Sequence, residues 1–211
     1  MAALSSKENI LKKIRKALSN PVPLPFPNSE GTQTLYKPAQ EEDAIVFAEE
    51  FTKLQGKFVY SVNETELLAQ LATLIQQHGW TKIYCREAAF QPILQQLSIQ
   101  PFEDLANCEV SITGCEYLVA RTGSIVMSTA QQSGRTASVY APIHICIAYN
   151  SQLLFDVKDA LVFLKEKYTE NFPSFITFAT GPSRTADIEK TLVTGVHGPK
   201  EVYCFLVDDQ P

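Results

Sequence analysis

The residues best equipped for chemistry lie in one stretch, Thr180-Gly-Pro-Ser-Arg-Thr-Ala-Asp-Ile-Glu189. A strand is expected just before it, over Phe175–Ala179, and a helix just after it, over Thr185–Leu192. In open α/β sheets, ligands bind beyond the carboxyl ends of strands, in the crevice between loops. Gly181 permits close backbone approach and Pro182 stiffens the turn. Ser183 or Thr185 then serves as helix N-cap, with unpaired N–H groups just beyond it. Those donors, the positive helix end and the Arg184 guanidinium together suit a carboxylate or phosphate. A second reading uses the same residues to cap the helix, with Asp187 and Glu189 as ordinary first-turn dipole complements. Local chemistry leaves both readings open, and the loop is not a Walker motif.

Further chemistry-bearing residues surround this stretch in sequence. Gly195-Val-His-Gly-Pro199 makes a tight loop around His197, a candidate acid/base together with Asp187 and Glu189. As a helix-to-strand return, that loop is expected at the entry end of the last strand. This puts His197 across the sheet from the anion loop and favours a structural role. His144, set among isoleucines, reads as a satisfied histidine at the edge of the core, and His78 complements a helix C-terminus. Thr122-Gly123-Ser124 opens a strand where the glycine leaves room for a ligand or for another backbone. Ser133-Gly-Arg-Thr136 reads as a mobile hairpin tip, and Arg135 is a candidate to close over an anion at Ser183–Thr185. The ligand-binding set is therefore Gly181, Ser183, Arg184, Thr185, Thr122, Gly123, Ser124 and Arg135. No Ser/His/Asp or Cys/His relay is placed by spacing, so no catalytic residue is assigned.

These residues need elements to hold them. Ser5 or Ser6 caps a first amphipathic helix within residues 1–20, and Pro21-Val-Pro-Leu-Pro-Phe-Pro27 begins an extended connector over 21–40. From 41 to 211 helices and strands alternate. Helices are expected at Glu41–Gln55, from Asn63 to His78-Gly79, at Glu87–Leu97 and at Phe155–Tyr168. Strands are expected at Lys57–Val62, Thr81–Cys85, Glu109–Thr113, Gly123–Ser128, Ile143–Ala148 and Glu201–Val207. Near-continuous apolar strands alternating with helices predict a largely parallel sheet covered on both faces. The helix-poor region Gly114–Ile143 predicts one antiparallel excursion.

Bulk properties narrow the function classes. The 211 residues suit one α/β domain with an arm, and the net charge of −5 gives no reason to seek nucleic acid or an anionic membrane. No run approaches the roughly 20 apolar residues of a membrane helix. The basic residues near the N-terminus lack an apolar h-region, so a cytoplasmic protein is expected. Five cysteines (85, 108, 115, 146 and 204) are scattered with no C-x-x-C pair, so no metal is expected through them. Cys108 and Cys115, flanking Val110–Thr113, are the one pair near a candidate site.

Thr180–Glu189 followed by Gly195–Pro199, with Ala120-Arg-Thr-Gly-Ser-Ile-Val126 and Pro142-Ile-His144, resembles the LUD domain of the lactate-utilization protein C (LutC/YkgG) family. The likeness is strongest from about Val110 to Val207. It implies a NagB/RpiA/CoA-transferase-like, Rossmann-like three-layer α/β/α fold. It also implies a part in oxidising L-lactate to pyruvate beside iron–sulfur and cysteine-rich partner proteins, with no cofactor on this chain. The same fold likeness allows an independent CoA-transferase-like or phosphosugar-isomerase-like enzyme, which would need a poised carboxylate such as Glu116, Asp187 or Glu189. Arg121 departs from the family pattern, where an acidic residue is expected before Thr-Gly.

Overall fold

A computed structural model of the chain describes residues 6–19, 42–188 and 191–209. The chain divides into two units, Met1–Pro38 and Ala39–Pro211. Within the first, α1 (Ser6–Leu18) places Glu8 in its first turn and Arg15 and Lys16 in its last, each sign complementing the helix dipole. Its apolar residues Ile10, Leu11 and Ile14 are exposed. The connector expected over 21–40 lies outside the described residues.

The second unit is built on a five-stranded parallel sheet. Its strands are β1 (Lys57–Ser61), β2 (Ile83–Tyr84), β3 (Val110–Thr113), β6 (Ile143–Tyr149) and β11 (Glu201–Val207), in the order β1-β11-β6-β3-β2. The near-continuous apolar runs of β6 and β11 follow from burial on both faces. On one face, Ile145, Ile147, Tyr203 and Phe205 pack against Leu67 and Leu71 of α3 (Glu64–His78) and Ile93 and Leu94 of α4 (Gln91–Gln96). Leu67 and Leu71 are fully buried, each worth on the order of 2 kcal/mol of apolar transfer. The Asn63 side chain caps α3 by accepting from the Glu66 N–H at 2.9 Å.

The opposite face carries Cys146, Ala148, Cys204 and Leu206. It is covered by Phe47 and Phe51 of α2 (Asp43–Lys53) and by a second sheet. That sheet is the antiparallel excursion, enlarged: β4 (Tyr117–Val119), β5 (Ser124–Ser128), β7 (Leu153–Leu154) and β8 (Ile176–Ala179), in the order β7-β4-β5-β8. Its outer side packs Val119 and Val126 on Ala160 and Leu164 of α6 (Val157–Lys167). Short α5 (Ala137–Tyr140) leads into β6. The whole is a three-layer α/β/α fold with the second sheet built into one outer layer.

Two expectations are corrected. The strand Phe175–Ala179 forms as β8, but it lies in the second sheet, antiparallel to β5. The helix expected over Thr185–Leu192 does not form. Instead β9 (Arg184–Ile188) and β10 (Thr191–Thr194) pair as an antiparallel hairpin. Four of those nine described residues are β-branched threonines or valine and a fifth is Ile188; such side chains are stiff in helices and favour strands.

Candidate functional site

The loss of that helix removes the dipole and the first-turn N–H groups from the anion loop. The Ser183 N–H is engaged as well, donating to the Pro199 carbonyl at 2.9 Å, while the Ser183 carbonyl accepts from the Gly195 N–H at 2.9 Å. These two bonds clamp the foot of the hairpin to the His197 loop. The expectation that His197 lies across the sheet from Thr180–Ser183 is therefore overturned. That separation assumed a strand, helix and strand in one parallel sheet. In fact the carboxyl end of β8 comes down over the amino ends of β6 and β11.

Where they meet there is a cavity of about 260 Å3, lined among others by Ser138, His144, Thr180, Ser183 and His197. A neighbouring hollow of about 420 Å3 shares Val139, His197 and Gly198 with it and adds Lys200. Among the described residues, no Asp or Glu lines either space, whereas two histidines and one lysine do. Gly198 lets the two loops approach: a Cβ there would stand 2.8 Å from the Ser183 Cβ.

His144, expected as a satisfied histidine at the edge of the core, keeps one ring nitrogen unpaired among the described residues. It is 1% exposed, and its Nε2 lies 2.8 Å from the Thr113 hydroxyl on the adjacent strand. Burial pulls its imidazole down to about 4, so the ring is neutral near pH 7. Its Nδ1 has no hydrogen-bond partner among the described residues, and the same holds for the Ser111 hydroxyl, the register neighbour of His144 on β3. Buried polar atoms in folded proteins are nearly always paired, so an unpaired ring nitrogen on a residue that lines the cavity singles His144 out. The available clue was one polar residue on the inward face of an otherwise apolar strand.

The other candidates are distributed as follows. Thr122, Ser124 and Thr180 form a hydroxyl chain, 2.8 Å at each step, tying the start of β5 to the end of β8. Gly123 and Gly181 both hold positive φ, and the room they leave is filled by α2 and by Leu54 just after it. A Cβ on Gly123 would overlap the backbone at Glu50 and Phe51, and one on Gly181 would stand 2.5 Å from the Leu54 carbonyl oxygen. Their close approach is thus to another backbone. Arg184 and Thr185 begin β9 opposite Thr194 and Val193, and Arg184 is exposed. Arg135 does not close over the loop. Its Nη2 donates to the Ser174 hydroxyl at 2.8 Å, and its guanidinium lies 5.6 Å from the Phe175 ring centre, at the far end of β8 from Thr180. Asp187 lies on β9, and Glu189 lies outside the described residues.

Arg121 turns to Asp156 instead, in a two-pronged contact at 3.0 and 3.3 Å. The guanidinium beside Asp156 holds that carboxyl below its usual range. Glu116 is buried and saturated: it accepts from Ser128 at 2.5 Å and from Tyr168 and Lys167 at 2.9 Å each. A carboxylate so occupied holds the second sheet to α6 and is not poised as a nucleophile. All five cysteines are free and buried. Cys115 contacts Cys146, not Cys108, and that hydrogen bond together with burial raises its thiol well above the usual range.

The separated motifs Pro142–His144, Thr180–Ser183 and His197–Pro199 thus meet around two adjoining spaces of one α/β domain. The LUD-domain model matches residues 39–207, and the chain belongs to the LUD-domain family. Its relatives include an uncharacterized protein of Neisseria meningitidis serogroup B, 26% identical over 97% of this chain and 94% of that one. Lactate utilization protein C of Anoxybacillus flavithermus is 26% identical over 83% of this chain and 86% of that protein. The protein of the same name from Bacillus licheniformis is 33% identical, but the match spans about half of each chain, 49% and 44%. A solved structure, a DUF162-family protein from Deinococcus radiodurans, shares the fold with a TM-score of 0.61 at 17% identity, over 81% of this chain and 99% of that one. Among the described residues no helix is long and apolar enough to cross a membrane.

Proposed function

We propose that this protein is a subunit of an L-lactate-oxidising system, converting lactate to pyruvate beside iron–sulfur and cysteine-rich partner proteins. In this reading it holds the small carboxylate in the cavity between Ser183 and His197. The observation that carries it is the meeting of three motifs, distant in sequence, around a space edged by His197 and Lys200 and free of carboxylates among the described residues. Removing two electrons and two protons from lactate requires an acceptor, and the reading assigns that role to the iron–sulfur partners. The names of the lactate utilization relatives support the lactate part of this reading.

The test is a titration of the purified full chain with L-lactate and pyruvate, read by melting temperature and calorimetry. Saturable stabilisation is expected, growing as RT ln(1 + [L]/Kd). Absence of any shift for both ligands overturns the cavity reading. Affinity purification from the native host tests the partner assignment: proteins carrying iron–sulfur clusters are expected to co-purify, and their absence refutes it.

A further inference from the structure

His144 and Thr113 form a pair of unusual reversibility at the cavity wall. The imidazole is neutral, so one ring nitrogen bears hydrogen and the other bears a lone pair. The Thr113 hydroxyl, 2.8 Å from Nε2, can either accept from an Nε2–H or donate to an Nε2 lone pair. Rotation of that hydroxyl therefore decides what Nδ1 offers, an acceptor in the first case and a donor in the second. Nδ1 is the ring nitrogen without a partner, and His144 lines the cavity together with Ser138, Thr180, Ser183 and His197.

We propose that His144 is the residue that recognises the C2 oxygen of a 2-hydroxy or 2-keto acid in this cavity, with Thr113 as the positioning residue that sets its tautomer. The inference rests on the cavity being the carboxylate site proposed above. A C2 hydroxyl donates to Nδ1 while Nε2–H donates to Thr113. A C2 carbonyl accepts from Nδ1–H while the Thr113 hydroxyl donates to Nε2. Both members of the redox pair are thereby satisfied by one side chain without a change of net charge. The carboxylate end of the ligand is left to the Ser138, Thr180 and Ser183 hydroxyls of the cavity, with Lys200 in the adjoining hollow. Propionate, which lacks the C2 oxygen, leaves Nδ1 unpaired.

The experiment compares binding of L-lactate, pyruvate and propionate to the full chain and to H144Q and S183A. It also follows the imidazole nitrogens of wild type by 15N NMR; with three histidines in the chain the signals are assignable by substitution. Wild type is expected to prefer lactate over propionate by about tenfold, the worth of one buried hydrogen bond. H144Q, whose amide can keep the contact to Thr113, is expected to bind the two about equally. Lactate and pyruvate are expected to drive the His144 nitrogens to opposite tautomers. If H144Q fails to fold, the NMR measurement on wild type decides alone. Retention of the lactate preference in H144Q, or His144 signals unmoved by either bound ligand, overturns the proposal while leaving the cavity reading standing. If wild type binds none of the three acids and S183A changes nothing, the cavity reading itself falls.

Discussion

Replacing Gly198 by alanine tests the cavity wall through a displacement whose size the structure supplies. The new Cβ would stand 2.8 Å from the Ser183 Cβ and 3.1 Å from its Oγ. Ordinary carbon–carbon contact begins near 3.5 Å, so the Ser183 side must retreat by roughly 0.7 Å. A serine Cβ cannot swing aside like the tip of a long chain. The retreat therefore moves the backbone of a turn held by the Ser183–Pro199 hydrogen bond. Overpacking of this kind costs about 1–3 kcal/mol. A shift approaching 1 Å in a binding group is enough to cost up to about 100-fold in function. G198A is thus expected to melt several degrees lower and to lose at least about tenfold in lactate affinity. Gly134→Ala is the control. A Cβ there meets nothing within 4 Å, although φ is +65°, so it should cost about 1 kcal/mol of strain without touching ligand affinity. Calorimetric titration of both variants, with urea unfolding alongside, separates the two effects. A G198A protein that binds lactate as wild type does would refute Ser183 as part of the binding wall.

Three further outcomes follow from named contacts. The native state binds the His144 proton only near pH 4, while the unfolded chain binds it near 6.5. Stability is then fully present above about 6.5 and falls by on the order of 3 kcal/mol as pH drops toward 4. H144Q should flatten that slope in urea denaturation, and an unchanged slope would contradict the buried neutral ring. Glu116→Ala strands the Ser128 and Tyr168 hydroxyls beside a new void and should cost about 2–4 kcal/mol; Glu116→Gln, which keeps the volume, should bind lactate as wild type does, and lost affinity would restore a functional role for this carboxylate. Arg184→Ala, on an exposed position of β9 outside the cavity lining, should fold normally and bind lactate as wild type does, and lost affinity would bring Arg184 back into the site.

The legible parts of the fold were those fixed by neighbouring residues. Asn63 and Gly79 bracket α3 because a cap is a local hydrogen-bonding act. The apolar runs of β6 and β11 declare double-sided burial by composition alone. Thr185–Leu192 was misread because Ser183, Asp187 and Glu189 imitate a helix start, while the clamp that makes the segment a hairpin comes from Pro199 and Gly195. Arg121 and Arg135 carried charge that the sequence could not aim; Asp156 and Ser174, each more than thirty residues away, decided where they point. His144 was hidden for the same reason, since its partner Thr113 lies 31 residues earlier on another strand.

The placement of the cavity follows from charge as well as topology. The carboxyl ends of β1, β6 and β11, where open α/β sheets usually bind ligands, here face a cleft of about 440 Å3 lined by Glu42, Asp43 and Asp208. Burial raises the Asp43 carboxyl above its usual range, and Asp208 accepts hydrogen bonds from Tyr60 and Asn150. An anion approaching that end meets carboxylates. At the amino ends of β6 and β11 the adjoining spaces carry Lys200 and, among the described residues, no carboxylate. The antiparallel second sheet brings the carboxyl end of β8 to this same place. At the proposed site the usual rule is kept for β8 and inverted for the parallel sheet. Had Phe175–Ala179 joined the parallel sheet, the Thr180–Ser183 turn would have opened toward the acidic end, and the same residues would have faced the wrong field for a carboxylate.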